Sequence, residues 1–200
     1  MRKSLAFLAI LLASVFAAQS AKADDVCQSV AGNIVTNCGF ETGDFTGWSG
    51  TSLTDSFTGV DGSDVYSGSF EAFFGPETGN ETLVQSLSTV AGQNYTIQFA
   101  LDNDTSPDPT HGFINDFSAA FGSTTIFSET NALEGPYVVY TLSGVATGTT
   151  TDLTFTFENQ AGFFDLDSVS AVATPEPSSL MLLGTGVVGF AGALRRRFKR

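Results

Sequence analysis

Lysine and arginine are absent from residues 24–173 of this 200-residue chain. The 21 acidic residues all lie between Asp24 and Glu176. The eight basic residues lie near the two ends and are Arg2, Lys3, Lys22, Arg195, Arg196, Arg197, Lys199 and Arg200. Nucleic acids and anionic membrane surfaces bind through positive charge, so residues 24–173 are unsuited to either partner. Their carboxylates must be solvated, hydrogen-bonded or bound to cations.

Side chains suited to catalysis are scarce in the same segment. His111 is its only histidine, and Cys27 and Cys38 are its only cysteines. Acid–base and nucleophilic catalysis draw mostly on histidine, lysine or an activated thiol or hydroxyl. We therefore predict that the protein is not an enzyme. The alternative is a glycan-acting hydrolase, which needs two carboxylates converging in a pocket.

The N-terminus has the pattern of a secretory signal peptide. Arg2 and Lys3 precede an apolar stretch over residues 5–18, and residues 21–23 read Ala-Lys-Ala. This order predicts a cleaved signal over residues 1–23 and an exported body over residues 24–173. Disulfides form in the oxidising space outside the inner membrane, so we predict that Cys27 and Cys38 are bonded to each other.

The C-terminus has three parts in a fixed order. Pro175, Glu176 and Pro177 come first, an uncharged run of 17 residues follows over 178–194, and a basic cluster occupies 195–200. As a helix the run would span roughly 26 Å, near the lower limit for a bilayer core of about 30 Å. The basic cluster would hold its end in the cytoplasm. We predict one transmembrane helix over 178–194, with the body outside.

These three parts resemble the PEP-CTERM sorting signal of Gram-negative bacteria. The sorting motif would be Pro175, Glu176 and Pro177, and the basic anchor Arg195, Arg196 and Arg197. The resemblance implies an exosortase, a membrane transpeptidase-like enzyme that cuts near the motif, and a bacterium that makes exopolysaccharide. The protein would be anchored transiently in the inner membrane and then reach the cell surface or matrix. The alternative is an ordinary C-terminal anchor.

The exported body is predicted to be all-β. Tyr95, Ile97, Phe99 and Leu101 alternate with more polar residues, which is typical of a half-buried strand. Other segments of similar character lie at 34–36, 69–74, 83–87, 117–121, 124–127, 137–142, 153–158 and 163–172. Turn residues separate them. This spacing predicts one antiparallel β-sandwich domain over residues 24–173, with 174–200 as the sorting signal.

Two stretches of the body resemble the galactose-binding-like jelly roll of many carbohydrate-binding modules. They are residues 37–48, which contain Gly39-Phe40-Glu41, and residues 163–169, Phe-Phe-Asp-Leu-Asp-Ser-Val. The resemblance implies a jelly-roll sandwich and a structural Ca²⁺ bound by Glu41 and Asp167. The alternative for these carboxylates is hydrogen bonding to backbone N–H groups.

The last predicted strand poses a packing conflict. In a regular strand Asp165 and Asp167 share a face with Val169 and Ala171, while Leu166 lies on the other face. Both faces then carry apolar residues. Either a carboxylate points inward or the strand contains a bulge.

Candidate sugar-binding groups are the large amphipathic rings and one polar loop. The rings are Trp48, Tyr66, Tyr95, Tyr137 and Tyr140. Of these, Trp48 and Tyr95 are expected to lie against the core. The loop over 103–115 offers Asp102, Asp104, His111 and Asn115 as hydrogen-bonding groups, although a solvated connection is the alternative. We predict a surface or matrix protein that associates with exopolysaccharide in a biofilm and binds carbohydrate. The other reading is a structural or adhesive module without a ligand.

Overall fold

The computed structural model describes residues 24–76, 78–108, 110–175 and Thr185. Within these residues the chain forms one short 3-10 helix, Val26–Ser29, and ten β-strands. The strands are β1 (Ser49–Thr51), β2 (Thr58–Asp61), β3 (Glu71–Phe74), β4 (Glu81–Ser88), β5 (Asn94–Asn103), β6 (Asn115–Phe121), β7 (Thr124–Glu129), β8 (Gly135–Val145), β9 (Thr150–Asn159) and β10 (Phe164–Ala173).

The strands form two five-stranded sheets. The first sheet has the order β1-β4-β9-β6-β7 and the second β2-β3-β10-β5-β8. Every pairing in both sheets is antiparallel. The chain passes back and forth between the sheets, so strands distant in sequence become neighbours. This arrangement confirms the predicted all-β antiparallel sandwich.

The alternating strands place their apolar faces between the sheets. On β5 the side chains of Tyr95, Ile97 and Phe99 are buried, whereas Thr96 and Gln98 on the opposite face are partly exposed. The same alternation on β4 and β9 buries leucine and phenylalanine. Period-two patterning therefore determines which face of each strand enters the core.

Phenylalanine rings make several close contacts between the sheets. Phe74 of the second sheet stacks on Phe157 of the first with ring centroids 3.9 Å apart. Phe99 contacts Phe117 at 5.6 Å and Phe155 at 5.2 Å, again across the sandwich. Aromatic rings bury large apolar areas, and offset or edge contacts add about 0.5–1.5 kcal/mol per pair. Ring packing therefore contributes directly to holding the two sheets together.

One predicted strand is wrong. Residues 34–36 form no strand and belong to neither sheet. The amide of Ile34 donates to the carbonyl of Ala171 at 3.1 Å, and that of Thr36 donates to Oε1 of Gln85 at 2.8 Å. One bond goes to β10 and the other to a β4 side chain, so the segment links the two sheets. The three-residue pattern predicted a strand, but it did not show that the hydrogen-bond partners of this segment lie in different sheets.

The predicted disulfide is confirmed. Cys27, in the 3-10 helix, is bonded to Cys38, and their Cα atoms are 6.0 Å apart. Both residues are buried, at 1% and 4% exposure. The bond ties the start of the body to the segment that precedes Glu41.

Reduction of this disulfide is expected to lower the free energy of unfolding by about 2–3 kcal/mol, because the closed loop is short and the bond chiefly restricts the unfolded chain. Urea unfolding with and without a phosphine reductant measures the difference. A Cys27→Ala/Cys38→Ala variant is the control, since its stability should not respond to reductant. Identical midpoints for the reduced and oxidised wild type would contradict the prediction.

Several predictions fall on residues outside the described part of the chain. They are the signal peptide over 1–23, the transmembrane segment over 178–194 apart from Thr185, the motif residues Glu176 and Pro177, and Arg195, Arg196 and Arg197. Pro175 lies just after β10. Among the described residues, no helix has the length and apolar character needed to cross a membrane. The domain boundaries at both ends stay predictions.

Candidate functional site

The outer face of the second sheet concentrates carboxylates. On β3, Ala72 and Phe74 enter the core, which leaves Glu71 and Phe73 on the opposite face. The strand registers place further carboxylates beside them, and neighbouring loops add more. We call this region the acidic face and define it as Asp61, Asp64, Glu71, Asp102, Asp104 and Asp165.

Strand register sets two carboxylates directly opposite two others. Asp165 on β10 pairs with Asp102 on β5, and Glu71 on β3 pairs with Asp61 on β2. Like charges directly across a pair of strands are destabilising. These pairs therefore need protons or a counter-charge, and no lysine or arginine is available in the body.

Burial makes ionisation of these groups still less favourable. Loss of solvent, followed by the charge of Glu71, raises the pKa of Asp165 to about 8. Burial, followed by interaction with Asp61, raises the pKa of Glu71 to about 7. Burial and the nearby Asp64 raise the pKa of Asp102 to about 6. At neutral pH the acidic face therefore favours uptake of positive charge.

The loop after β2 lies over one end of this face. The hydroxyl of Tyr137 donates to the backbone carbonyl of Asp64 at 2.7 Å, and the Tyr66 and Tyr137 rings lie 5.4 Å apart. Asp104 accepts a hydrogen bond from the amide of Phe163 at 2.6 Å on the other side. These contacts hold Asp64 and Asp104 against the sheet.

Two concavities open on the acidic face. One, of about 270 Å³, is lined by carboxylates together with the Phe73 and Phe163 rings. The other, of about 630 Å³, is lined by Asp102, by the Tyr137 ring and by residues of the segment before β8. Asp64 and Asp104 line both. Apolar rings beside several carboxylates suit a ligand that has both C–H faces and hydroxyl groups.

The second group of predicted site residues lies at a bulge in β10. Register with β5 shifts between Asp167 and Ser170, and Ser168 has a φ of 52°. The extra residue turns Val169 and Ala171 into the core, whereas Asp165 and Asp167 stay on the outer face. The packing conflict is thus resolved by a bulge, one of its two predicted solutions.

Segment 67–70 connects the two carboxylates predicted to bind Ca²⁺. The amide of Ser67 donates to Oδ2 of Asp167 at 2.8 Å. The amides of Ser69 and Phe70 donate to Oε1 of Glu41 at 2.7 Å and 3.1 Å. Gly68 lies between these donors with a φ of 79°, and a Cβ there would lie 2.1 Å from Oε1 of Glu41. The resemblance therefore correctly indicated that Glu41 and the end of the domain lie close together.

Backbone N–H groups satisfy both carboxylates in this region. Oδ1 of Asp167 also accepts from the amide of Ser168 at 2.5 Å. Burial raises the pKa of Asp167 to about 7 even though these donors act in the opposite direction. The hydrogen-bonded alternative is therefore present, while the Ca²⁺ at Glu41 and Asp167 stays a prediction.

The predicted aromatic candidates divide into core and surface. Trp48 stacks on Phe40 at 5.7 Å and is 8% exposed, and Tyr95 is 3% exposed, so both lie against the core as expected. Tyr140 packs on Phe127 at 4.5 Å. Tyr66 and Tyr137 lie together beside the acidic face.

The predicted polar loop also divides. Asp102 and Asp104 line the concavities, but His111 and Asn115 do not. Nδ1 of His111 pairs with Asp108 at 2.6 Å on an exposed turn, and Asn115 is fully buried. Most of this loop is therefore a solvated connection, which was the predicted alternative to a binding loop.

Sequence reasoning missed Asp61, Asp64, Glu71 and the Phe73 and Phe163 rings as site residues. One signal was available for two of them. Residues 71–74 read Glu-Ala-Phe-Phe, and in a strand this order places Glu71 and Phe73 on one face and Ala72 and Phe74 on the other. Asp64 carried no such signal, because it lies in a loop whose position depends on Tyr137.

Comparison with protein families identifies the C-terminal segment. Residues 173–197 match the PEP-CTERM protein-sorting motif, as predicted. The match implies an exported protein that an exosortase sorts. Comparison with curated protein sequences found no match.

Solved structures with a similar fold include several carbohydrate-binding modules. TmCBM61, in complex with β-1,4-galactotriose, is 18% identical with a TM-score of 0.51, and the similarity covers 71% of this chain and 99% of that one. The xylan-binding CBM22-1 domain of Paenibacillus barcinonensis is 14% identical with a TM-score of 0.51, over 69% and 92% of the two chains. A Clostridium thermocellum xylanase structure containing CBM22-1 and GH10 modules is 13% identical with a TM-score of 0.54, over 72% of this chain and 29% of that one. The chain therefore carries the PEP-CTERM protein-sorting motif after a jelly-roll sandwich of the kind found in carbohydrate-binding modules.

Proposed function

We propose that this is an exported, non-enzymatic surface or matrix protein whose sandwich binds carbohydrate on the acidic face. The observation that carries the proposal is the concavity in which Phe73 and Phe163 lie beside Glu71 and Asp165. Sugar rings pack their C–H faces on aromatic rings and offer hydroxyls to carboxylates. The fold similarity to modules solved with galactotriose and xylohexaose supports the same ligand class.

Charge narrows the class of glycan. The body has no lysine or arginine, and the acidic face holds several carboxylates. A polysaccharide rich in uronic acid or sulfate would be repelled there. We therefore propose neutral polysaccharide, and the sorting motif supports its being the exopolysaccharide layer or biofilm matrix around the cell.

A hydrolase is the competing function, since carboxylates do converge here. The spacing of the three carboxylates Asp64, Asp102 and Asp165 argues against a catalytic role for that group. Oxygen atoms of Asp64, Asp102 and Asp165 all lie within 4.8 Å of one another. Glycosidases separate their two carboxyl groups by about 5–5.5 Å or about 6.5–9.5 Å, because the scissile bond lies between them. The more closely grouped carboxylates suit ligand or cation binding.

Replacement of Phe163 by alanine is expected to weaken binding to a neutral glycan about fivefold, equivalent to roughly 1 kcal/mol of lost ring packing. Binding is screened on an array of neutral and acidic glycans and then measured by titration calorimetry. Phe113→Ala is the matched control, because Phe113 is 38% exposed and lines neither concavity.

Three results would overturn the proposal. Equal affinity of the Phe163→Ala and wild-type proteins for the glycan would show that the acidic face is not the binding site. No binding to any glycan would leave a structural or adhesive module without a ligand. Release of reducing sugar from a bound glycan would establish a hydrolase.

We also propose a structural Ca²⁺ at Glu41 and Asp167, as the jelly-roll resemblance implies. A carboxylate offers about four acceptor positions, and N–H donors occupy two on each of these residues. Oxygen positions thus remain on both, and oxygen is the donor that Ca²⁺ prefers. Held there, the ion would join the N-terminal segment to β10.

A further inference from the structure

Three carboxylates of the acidic face have the spacing of a metal ligand set. One oxygen from each of Asp64, Asp102 and Asp165 lies within 4.8 Å of the other two. Ligand oxygens lie about 2.3–2.6 Å from a bound Ca²⁺, so two ligands of one ion are separated by up to about 5 Å. A single ion between these three oxygens therefore satisfies the distance requirement.

One of these three residues has a buried oxygen without a hydrogen-bond partner. Asp102 is 6% exposed, and its Oδ1 has no hydrogen-bond partner among the described residues. The neighbouring Glu71 is 1% exposed and its Oε2 also lacks one. A buried carboxylate oxygen without a donor is costly, and the exported body has no lysine or arginine to supply one.

We propose that Asp64, Asp102 and Asp165 bind a divalent cation, and that the cation is Ca²⁺. The donor set is oxygen only, without the histidine nitrogen or cysteine sulfur that Zn²⁺ favours. Asp102 and Asp165 are fixed on adjacent strands, whereas Asp64 comes from a loop. Such a mixture of rigid and adjustable ligands suits the flexible geometry of Ca²⁺ better than the strict octahedron of Mg²⁺.

This site is separate from the one proposed at Glu41 and Asp167, because the two share no residue. It is also separate from the close group of Asp25, Cys27 and Cys38. The sulfurs of that group are bonded to each other, so they offer no thiolate to a metal.

The proposal is tested by calorimetry. Calcium chloride is titrated into the metal-stripped full chain, which is purified in detergent. Asp64→Asn is the first variant, because Asp64 is exposed and its replacement leaves the core intact. We expect its affinity at this site to fall at least about tenfold, since Ca²⁺ affinity depends on the number of charged ligands. Asp64→Asn/Asp102→Asn is expected to lose one bound Ca²⁺ per chain.

Two controls separate the possible outcomes. Asp108→Asn makes the same charge change on an exposed turn and should bind Ca²⁺ as wild type does. Glu41→Gln alters the other proposed site and should leave the acidic-face Ca²⁺ in place. Wild-type stoichiometry and affinity in both the single and the double variant would overturn the proposal. Glycan affinity is a separate measurement, so failure of the cation site and failure of sugar binding can be distinguished.

Discussion

Deletion of residues 174–200 is expected to abolish the membrane-anchored form of the protein and to leave only the soluble exported form. The segment contains the matched sorting motif, the uncharged run over 178–194 and the basic cluster over 195–200. Without the run, these 17 uncharged residues are no longer available to partition into the bilayer. The remaining acidic body is repelled by anionic lipid. We therefore expect nearly complete loss of the membrane-anchored form, measured by fractionation and immunoblotting.

A second variant separates anchoring from processing. Pro175→Ala/Glu176→Ala/Pro177→Ala retains the apolar run and the basic cluster, so it should enter the membrane and stay there with an uncut C-terminus. Mass spectrometry of the C-terminal peptide identifies the mature end. A full-length protein that fractionates like the triple variant and shares its uncut C-terminus would show that Pro175, Glu176 and Pro177 do not act as a sorting motif.

The sandwich was predicted from individual strands in which apolar and polar residues alternate. In β5 the alternation of Tyr95, Ile97 and Phe99 with polar residues was sufficient, because a strand with one apolar face must bury that face. The sequence patterns did not predict β1 or β2. They are only three and four residues long, and no residue of β1 is buried. Such short strands are defined by pairing with β4 and β3 rather than by their own pattern.

Asp165 and Asp167 show where sequence reasoning reached its limit. Alternation alone revealed a conflict on β10, but it could not choose between an inward carboxylate and a bulge. The choice depends on Ser168 taking a φ of 52° and on hydrogen bonds from residues far away in sequence. A bulge is a property of two paired strands, so a single strand does not specify it.

The acidic face could not be predicted from the sequence either, because it depends on the register between strands. Asp102 and Asp165 were each noticed as candidates, but nothing local indicated that they lie opposite each other on β5 and β10. Asp64 joins them through a loop held by Tyr137. Charge segregation was the one global signal: a body with no lysine or arginine that buries carboxylates must neutralise them by other means.

Replacement of Glu81 by glutamine is expected to make the protein more stable than wild type at alkaline pH. Glu81 is 1% exposed and lies on the core-facing side of β4 with Leu83 and Leu87. Thr58 donates to its Oε2 at 2.5 Å, but Oε1 has no partner among the described residues. Burial raises the pKa of Glu81 to about 7, against the opposing effect of the Thr58 hydrogen bond. Glutamine keeps the shape and removes the buried charge.

The direction of the pH dependence follows from which state ionises first. The unfolded chain has a glutamate pKa of 4.5 and the folded protein one of about 7. Below the lower value Glu81 is protonated in both states and has no effect. Between the two values the unfolded state releases its proton first, so the free energy of unfolding falls as pH rises. Above the folded value the loss is complete, at roughly 3 kcal/mol for a shift of this size.

Urea unfolding of wild type and Glu81→Gln at about pH 4.5 and about pH 8.5 measures this contribution as a difference of differences. Other carboxylates titrate equally in both proteins, so their contributions cancel, and the variant should retain roughly 3 kcal/mol more of its low-pH stability. Parallel pH profiles for wild type and Glu81→Gln would mean that Glu81 is already ionised and compensated in the folded protein. A buried water molecule or a bound cation beside Oε1 would then supply the compensation, because the described part of the chain offers that atom no donor.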